Sequence, residues 1–497
     1  MNITFIVPDY NYTKHLMPDY KGSFHHGVAY ISNYLKKNGH NVSLLHLLRP
    51  MENDEFVESI KAKSPHLIAF TSFTHQFREV RRLVSVLKNS LKVPILCGGV
   101  HCTIDPGRAL LETELDMVCI GEGEETMLEL ADTIQKGKDY YNIKGIWTKY
   151  NGKIIRNPVR PLIEDLDLLP FPDWELFRYS SLTEANIQKR VSVLATRGCP
   201  RNCGFCCNHA IKSVYPNKEK YVRVRRPIKV IEEIDSMLKE YPFLESVCFL
   251  DDTAGLYGDW LEEFSYLYSS KFSLPVHLNT RVEIVNNDRK LESFKRMGIA
   301  MVGLGFESGD EFIREILNRP MSNEDMIRAV KRCHASKIKV LTYNIVGLPF
   351  EDMNKILKTV KLNVQANTDA AHVSIFQPYP NTDLYRLCTK KGFIKEGDLC
   401  EGFFEKTILR QKSISSEGVN FSFLFFRIYI TLFLLTSKLP MFIQILSENL
   451  LDFTFKNKLS QRLLLFLYFP FINPIISNKL IKKVIKNLLE NVNKLQK

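Results

Sequence analysis

Three cysteines stand close together near the middle of the chain and are the residues best suited to chemistry. Cys199, Cys203 and Cys206 have the spacing C-x3-C-x2-C. Thiolates so close on one loop can converge on a soft metal centre, such as an iron-sulfur cluster, zinc or Cu(I). Structural zinc sites and electron-transfer clusters normally use four protein ligands, and no C-x2-C or H-x3-H pattern elsewhere supplies a fourth. The three cysteines therefore predict a four-iron cluster with one iron left open, and hence a reactive site.

Length, composition and charge indicate what class of protein contains this loop. A length of 497 residues favours about two to three domains, and 45% hydrophobic with 25% charged residues is typical of a globular protein. Eleven scattered cysteines and no signal peptide indicate free thiols in the reducing cytosol. The net charge is +12, of which residues 411–497 carry +8, with twelve Lys and Arg against four Asp and Glu. The rest is nearly neutral, which argues against a nucleic-acid scaffold.

Residues 1–140 alternate short apolar runs with amphipathic helical patterns. The runs at 3–7, 42–47, 67–71, 94–97 and 117–120 predict five strands, and a doubly wound, Rossmann-like or flavodoxin-like parallel sheet follows. Ligands of such sheets bind beyond the carboxyl ends of the strands. Those ends are polar or rich in glycine, at Thr71, Ser72, Gly98, Gly99, His101, Gly121, Glu122 and Gly123. They predict either a ligand site or ordinary turns between strand and helix.

Residues 141–188 contain four prolines and little helical period, which indicates a linker. From residue 189 to about 400 a second series begins, with strand-like runs at 191–195, 246–250, 276–278, 301–305, 340–346 and 372–376. Six strand and helix units predict a partial (β/α)6 barrel of the TIM type, whose functional residues collect at the carboxyl ends of the strands. The cysteine loop directly follows the first of these strands.

Residues 401–497 predict a helical, basic and aromatic C-terminal region. The apolar stretches 421–435 and 463–476 are interrupted by Arg427 and by two prolines, so neither provides the roughly 20 clean residues of a spanning helix. The chain ends in Lys482, Lys483, Lys486, Lys494 and Lys497. These helices either lie on an anionic membrane surface, or cap the barrel or pack between subunits.

The cysteine spacing, with an aromatic residue at Phe205, resembles the signature of radical S-adenosylmethionine (radical SAM) enzymes. In that family three cysteines hold a [4Fe-4S] cluster and SAM binds the open iron. The resemblance therefore implies Cys199, Cys203 and Cys206 as cluster ligands and reductive cleavage of SAM to a 5'-deoxyadenosyl radical. The cofactors perform this chemistry, so no catalytic side chain is assigned beyond the cluster ligands.

Further strand ends match the same family in order. They are Phe249-Leu250-Asp251-Asp252, Asn279-Thr280-Arg281, Gly303-Leu304-Gly305-Phe306-Glu307-Ser308-Gly309, Gly347-Leu348-Pro349, and Pro378-Tyr379-Pro380-Asn381-Thr382, where Asn replaces the usual Gly. The resemblance implies SAM contacts at Phe205, Asp251, Asp252, Asn279, Arg281, Glu307, Ser308 and Gly347. Each segment by itself also suits a structural role. Cys207 lies outside the spacing and is expected to be a packing cysteine.

The N-terminal sheet resembles the cobalamin (B12) binding domain that precedes the radical SAM core in a large subfamily. The resemblance implies cobalamin contacts at the strand ends named above. The D-x-H-x-x-G motif that supplies a histidine to cobalt is absent, since Asp19, His25, His26 and Gly27 have the wrong spacing. Many members of the subfamily lack this motif, and some have lost the corrinoid.

The resulting hypothesis is a cobalamin-dependent radical SAM enzyme that transfers a methyl group to an unactivated carbon. Two alternatives stay open: a cobalamin-dependent radical cyclase or rearrangement enzyme, and a non-catalytic corrinoid or iron-sulfur sensor. The expected partners are a small-molecule or lipid-like substrate and an external electron donor of flavodoxin or ferredoxin type, without nucleic acid. The expected location is the cytoplasm, with peripheral membrane contact through the C-terminal region as a further expectation.

Overall fold

The computed structural model describes residues 1–9, 19–398, 400 and 402–478. The strands are β1 (Asn2–Pro8), β2 (Asn41–Leu47), β3 (Leu67–Thr71), β4 (Ile95–Gly98), β5 (Met117–Cys119), β6 (Ile146–Tyr150), β7 (Lys153–Arg156), β8 (Arg190–Val193), β9 (Thr196–Arg197), β10 (Arg223–Val224), β11 (Ser246–Phe249), β12 (Val276–Thr280), β13 (Ile299–Glu307), β14 (Lys339–Val346) and β15 (Ala370–Ile375).

The helices are α1 (His26–Lys37), α2 (Asn53–Lys61), α3 (Phe77–Lys88), α4 (Val100–Ile104), α5 (Pro106–Leu111), α6 (Glu124–Gln135), α7 (Cys207–Val214), α8 (Pro227–Glu240), α9 (Gly258–Lys271), α10 (Val282–Val285), α11 (Asp288–Arg296), α12 (Glu311–Ile316), α13 (Asn323–Ala335), α14 (Met353–Ala366), α15 (Asp383–Lys390), α16 (Ser416–Thr436), α17 (Met441–Lys456), α18 (Lys458–Leu467) and α19 (Asn473–Ser477).

The N-terminal domain is built on a seven-stranded sheet with the order β2-β1-β3-β4-β5-β6-β7. Strands β1 to β5 are parallel, as the sequence predicted. Alternate side chains of β1 enter different cores, since Phe5 and Val7 belong to one apolar cluster and Ile6 to another. Both faces are therefore covered, which explains the continuous apolar runs of the parallel strands.

The predicted linker 141–188 contains an antiparallel hairpin. Strand β6 pairs with β5, and β7 pairs with β6, so the N-terminal sheet continues past residue 140. Trp147 donates a hydrogen bond from Nε1 to the Asn157 carbonyl at 2.9 Å and fixes the end of this hairpin. The prolines that suggested a linker come after the hairpin, and the remainder carries only short helical turns, such as the π-helical turn Thr183–Ile187.

The second domain is an open, six-stranded parallel sheet with the order β15-β14-β13-β12-β11-β8. All six predicted strands are present, and neighbours in the chain are neighbours in the sheet, as in a partial (β/α)6 barrel. The α/β class predicted from the sequence is confirmed for both domains. A two-stranded ribbon of β9 and β10 follows the first barrel strand and brackets the cysteine loop.

One hydrophobic core extends through both domains. It contains Phe5 and Val28 from the N-terminal sheet layer, Tyr179 from the connecting segment, and Val247 and Val302 from the barrel. Each of these side chains is at most 3% exposed. The two sheets therefore share buried apolar surface, and burial of this kind is the main favourable contribution to folding.

The C-terminal helices pack on the outside of the barrel. Phe421, Phe425 and Phe426 of α16 are fully buried in a cluster with residues of α14 and β15. Among the described helices, only α16 is by itself long and apolar enough to cross a membrane, and half of its most apolar segment is buried in the protein. The segments Lys458–Leu467 and Pro470–Ser477 reach that length only together, and a bend of 49° separates them. The lysines predicted to end the basic tail, from residue 482 onward, lie outside the described residues.

Phe455 of α17 gives a direct test of this packing. Its ring is fully buried, 5.5 Å from Phe421 and 4.8 Å from Tyr429 between ring centroids, whereas Phe453 is 59% exposed. We expect Phe455→Ala to lower the free energy of unfolding by about 3–5 kcal/mol. The matched control Phe453→Ala should change it by less than about 0.5 kcal/mol. Equal effects of the two substitutions on denaturant unfolding would contradict the packing of α17 against α16.

Candidate functional site

The cysteine loop begins directly after β9 and ends at α7. Gly198 has φ +88°, and a Cβ there would lie 2.6 Å from the Tyr221 carbonyl oxygen, so the first turn of the loop requires glycine. Further on, the Gly204 N–H donates to the Leu317 carbonyl at 3.0 Å, and the Leu384 N–H donates to the Gly204 carbonyl at 2.9 Å. These bonds hold the loop against Leu317, which directly follows α12, and against the first turn of α15.

The three sulfur atoms have different surroundings. The Cys199 Sγ lies 3.5 Å from the Thr253 Oγ1, and Cys203 is buried while Cys199 and Cys206 are half-buried. Among the described residues no three His, Cys, Asp or Glu side chains are grouped tightly enough for a single metal ion. In a four-iron cluster each thiolate binds a different iron, so the three sulfurs need not meet at one metal ion.

Two arginines donate to the Cys203 sulfur. The distances are 3.9 Å from Arg281 Nη1 and 3.7 Å from Arg319 Nη1. Arg319 also lies 3.6 Å from the Glu307 carboxylate and donates to the Gly305 carbonyl at 2.5 Å. Burial raises the pKa of Glu307, and the nearby guanidinium groups of Arg319 and Arg281 oppose that rise. Hydrogen bonds to ligand sulfurs help to set the reduction potential of a cluster, so these arginines suit a redox-active site.

A cavity of about 940 Å³ lies between the two domains. Cys206, Phe205 and Glu307 line it from the barrel side, while Phe24 and His25 line it from the N-terminal domain. Aromatic side chains form much of the remaining wall, at Phe73, Phe376, Tyr379 and Phe403. The cavity is therefore large enough for an organic cofactor together with a substrate, and it adjoins the cysteine loop.

A smaller cavity of about 200 Å³ lies over the carboxyl ends of β3, β4 and β5. The predicted residues that line it are Thr71, Gly98, Gly99, Gly121, Glu122 and Gly123. Gly99 has φ +91°, and a Cβ there would lie 2.9 Å from the Ser72 backbone. His25, Gly27 and Leu194 line both cavities, so the two are neighbours. Small residues at the strand ends leave room for a nucleotide-like group to approach the backbone.

Ser72 and His101 do not line either cavity. The Ser72 hydroxyl donates to the Phe73 carbonyl at 2.7 Å. His101 packs on Phe77 with 4.0 Å between ring centroids and lies 3.3 Å from the Thr74 hydroxyl, and burial lowers its pKa to about 3. Both side chains belong to the core under the strand ends.

Two family models match the chain. The model of the radical SAM superfamily matches residues 193–362, and the model of the B12 binding domain matches residues 22–131. The chain therefore contains a radical SAM domain, and a B12-binding domain precedes it, as the resemblance implied. The radical SAM domain implies a [4Fe-4S] cluster and SAM as cofactors, and the B12-binding domain implies cobalamin.

Known proteins resemble the chain over most of its length. An "Uncharacterized methyltransferase" of Pyrococcus horikoshii is 27% identical over 398 residues, which are 79% of this chain and 84% of the relative. An anaerobic magnesium-protoporphyrin IX monomethyl ester cyclase of Rubrivivax gelatinosus is 27% identical over 370 residues, 72% of this chain and 65% of the relative.

Two solved structures share the fold. The cobalamin-dependent radical SAM enzyme OxsB matches 99% of this chain and 79% of its own with a TM-score of 0.66 and 14% identity. The radical SAM methyltransferase TsrM of Kitasatospora setae matches 78% of this chain and 76% of its own with a TM-score of 0.63 and 16% identity. At these identities the likeness concerns the fold.

The structure of this radical SAM protein places the predicted SAM residues in two groups. Phe205, Arg281 and Glu307 lie at the cysteine loop or the large cavity, as described above. Asp251 ties β11 to the start of the loop, because it accepts hydrogen bonds from the Ala195 N–H at 3.2 Å and from the Thr196 hydroxyl. Burial raises the pKa of Asp251 to about 6.

The remaining predicted SAM residues support neighbouring segments. Burial raises the pKa of Asp252, and the nearby Asn208 side chain and Gly198 N–H oppose that rise, while Asn279 accepts a hydrogen bond from the Tyr343 hydroxyl at 3.0 Å. Ser308 is fully buried and accepts from the Asp310 N–H at 3.2 Å. At Gly347, with φ +78°, a Cβ would lie 2.9 Å from Val419 of α16. Neither Ser308 nor Gly347 lines the large cavity, and the role of each in binding SAM stays a prediction.

The sequence analysis missed the ion pairs that join the two domains. Arg197 donates to Glu122 at 3.0 Å and to Glu124 at 2.6 Å, and Arg223 donates to Glu122 at 2.8 Å. Burial alone would raise the pKa of Glu122, but the two arginines hold it below its ordinary value. Arg197 stands two residues before Cys199, and this position beside the cysteine motif could have indicated a role for Arg197 at the site. Arg319 had no comparable signal in the sequence.

Replacing one cysteine tests the cluster site. Cys203→Ala should remove the iron and the visible absorbance of the anaerobically purified protein, because a cubane held by three protein ligands does not persist on two. The matched control is Cys207→Ala, next to the last proposed ligand, which should retain both. A Cys203→Ala protein with full iron content would contradict the assignment.

Glu351 gives a pH test of the turn that follows β14. This fully buried carboxylate accepts N–H bonds from Gly347 at 2.7 Å and Leu348 at 3.0 Å, and burial raises its pKa from 4.5 to about 8. The folded state therefore favours the protonated form. The free energy of unfolding should fall as the pH rises from about 4.5 to about 8 and then stop falling.

Glu351→Gln imitates the protonated side chain and should remove this contribution. The difference between the denaturant midpoints of the wild type and the variant should therefore become smaller, in the direction of a less stable wild type, as the pH rises from about 5 to about 8. All other titrating groups are common to the two proteins and cancel in the difference. Parallel profiles would show that Glu351 is not buried as described.

Proposed function

We propose that this protein is a cobalamin-dependent radical SAM methyltransferase that acts on an unactivated carbon of a small molecule. The observation that supports the proposal best is the cavity of about 940 Å³, which the cysteine loop borders on one side and the B12-binding domain on the other. The methyltransferase names of the Pyrococcus horikoshii relative and of TsrM favour methyl transfer.

We propose that Cys199, Cys203 and Cys206 hold the cluster and that Phe205, Asp251, Arg281 and Glu307 surround SAM. The strand ends that line the smaller cavity are the proposed cobalamin contacts. When bound, the cluster and SAM supply a radical that removes hydrogen from carbon, and cobalamin supplies the methyl group. An external one-electron donor of flavodoxin or ferredoxin type is part of the proposal. All eleven cysteines are free, which suits a reducing cytoplasm.

The residues around the large cavity position and shield the reacting groups. The phenylalanine side chains of its wall carry no acidic protons and present an apolar surface to the reacting groups. His25 and His26 line it in the neutral form, because burial lowers the pKa of each to about 4. The proposed radical chemistry belongs to the cofactors, so no proton transfer is assigned to a protein side chain.

One wall of the large cavity is polar, and it defines the proposed substrate. Glu184 Oε2, Gln188 Oε1 and Arg190 Nε are buried and have no hydrogen-bond partner within the described residues. Asp9 stands near them and accepts from the Tyr20 hydroxyl at 2.6 Å. Asp9, Glu184, Gln188 and Arg190 all line the cavity, so a ligand can place a polar group at this wall, while the apolar remainder of the wall favours apolar surface. We infer a largely apolar substrate with one polar end.

A cyclase is the second candidate function. The Rubrivivax gelatinosus relative has that activity by name and is also 27% identical to the chain. The same cavity and cofactors suit a reaction in which the substrate radical rearranges without receiving a methyl group.

Labelled SAM distinguishes the two. Anaerobic protein with a low-potential reductant, methyl-labelled SAM and a cell extract should form 5'-deoxyadenosine and transfer the label to a small-molecule product. Deoxyadenosine without transferred label would favour the cyclase. Failure to form deoxyadenosine would contradict both enzymes, and Cys203→Ala is the control for background cleavage. Cobalt, iron and sulfide analysis of the same preparation tests the cofactors independently of turnover.

A further inference from the structure

Exposed apolar side chains are concentrated on the C-terminal helices. Of the twenty-five large hydrophobic side chains exposed in the described residues, fourteen lie between Leu432 and Ile475. The most exposed include Met441 at 77%, Phe442 at 74%, Leu459 at 77% and Phe466 at 75%. Large contiguous apolar patches are rare on monomeric soluble proteins and mark interaction surfaces.

The spacing of these residues makes two outward-facing stripes. Phe442, Leu446, Leu450 and Phe453 follow one another at intervals of three or four residues on α17. Leu459, Leu463 and Phe466 repeat the pattern on α18. Residues so spaced share one face of a helix, and on an ordinary surface helix that face would be turned inward. These two stripes form what we call the C-terminal apolar face.

Positive charge accompanies this face. Lys456 and Lys458 are exposed at the junction of α17 and α18. Residues 479–497, which lie outside the described residues, contain six lysines and one glutamate in the sequence. Exposed apolar and aromatic residues beside lysines are typical of helices that lie in the interface of an anionic membrane.

The arrangement suits peripheral contact and not a crossing. Helix α16, which is long enough to span, packs on the barrel with Phe421, Phe425 and Phe426 fully buried. Helices α17 and α18 have 16 and 10 residues, fewer than the roughly 20 that a span needs. Helix α18 approaches that length only together with Pro470–Ser477, and a 49° bend separates the two segments.

We propose that the C-terminal apolar face docks this protein on the surface of an anionic lipid bilayer, with its stripes inserted among the headgroups. This goes beyond the proposed reaction and does not depend on it. A second copy of the chain and the segment 479–497 are the competing occupants of the face.

Vesicle binding by the full-length protein tests the proposal. In co-sedimentation, vesicles rich in phosphatidylglycerol should bind the protein, and phosphatidylcholine vesicles should bind it less. Added salt should weaken the binding, because charge contributes to it. Equal binding to both lipids at all salt concentrations would overturn the anionic specificity.

Two double variants test whether vesicle binding depends on the C-terminal apolar face or on exposed apolar side chains anywhere on the protein. Phe442→Glu with Phe466→Glu places charges on the C-terminal apolar face and should weaken vesicle binding by roughly tenfold or more. The matched control is Leu111→Glu with Leu168→Glu, at positions 70% and 78% exposed outside this face, which should bind as the wild type does. Equal binding by the two double variants would overturn the proposal.

The competing occupants have distinct signatures. If copies of the chain cover the face, light scattering without lipid will show a dimer that Phe442→Glu with Phe466→Glu converts to a monomer, and the proposal fails. If residues 479–497 cover it, replacing Lys482, Lys483 and Lys486 by Gln will leave vesicle binding unchanged or stronger, and the proposal fails. Weaker binding to anionic vesicles supports it. Unchanged circular dichroism confirms that each variant is folded.

Discussion

The site depends on the largely buried ion pairs between Arg197, which is 19% exposed, and the carboxylates of Glu122 and Glu124. Arg197 lies in the ribbon that brackets the cysteine loop, whereas the glutamates lie at the strand ends of the B12-binding domain. A buried charge left without its partner is costly, so this contact fixes how the two domains face each other. The contact joins the ribbon beside the cysteine loop to the glycine-rich strand ends, and the large cavity lies between the two domains that it connects.

Arginine and glutamate side chains also pair close to the thiols of the cysteine loop. Arg281 and Arg319 direct N–H groups at one sulfur of the three. Glu307 balances Arg319 and adopts a positive φ of 62°, which is unusual for a residue other than glycine. A Cβ at Gly305 would lie 2.4 Å from the Glu307 carboxylate, so the glycine makes this conformation possible. The segment Gly305-Phe306-Glu307 thus works as a unit.

The sequence was sufficient to predict the strands, because each strand leaves a pattern within its own few residues. Parallel strands buried on both faces appear as apolar runs, so the eleven predicted strands all occur within a few residues of their expected positions. The hairpin β6–β7 was missed because nearby prolines hid two short, partly exposed strands. Contacts between distant segments leave no such signal. Glu122 and Gly123 were expected at a ligand, but only the folded chain shows that Glu122 also pairs with Arg197, and that His101 points into the core.

The hydrophobic core common to both domains has a further consequence. Side chains such as Val28, Tyr179 and Val247 belong to one cluster although they come from three parts of the chain. A cut between the domains would expose apolar surface on each fragment, and exposed apolar surface favours aggregation. The two domains are therefore best treated as one unit in engineering. A chimera that exchanges the B12-binding domain for that of a relative must bring the matching half of this core with it.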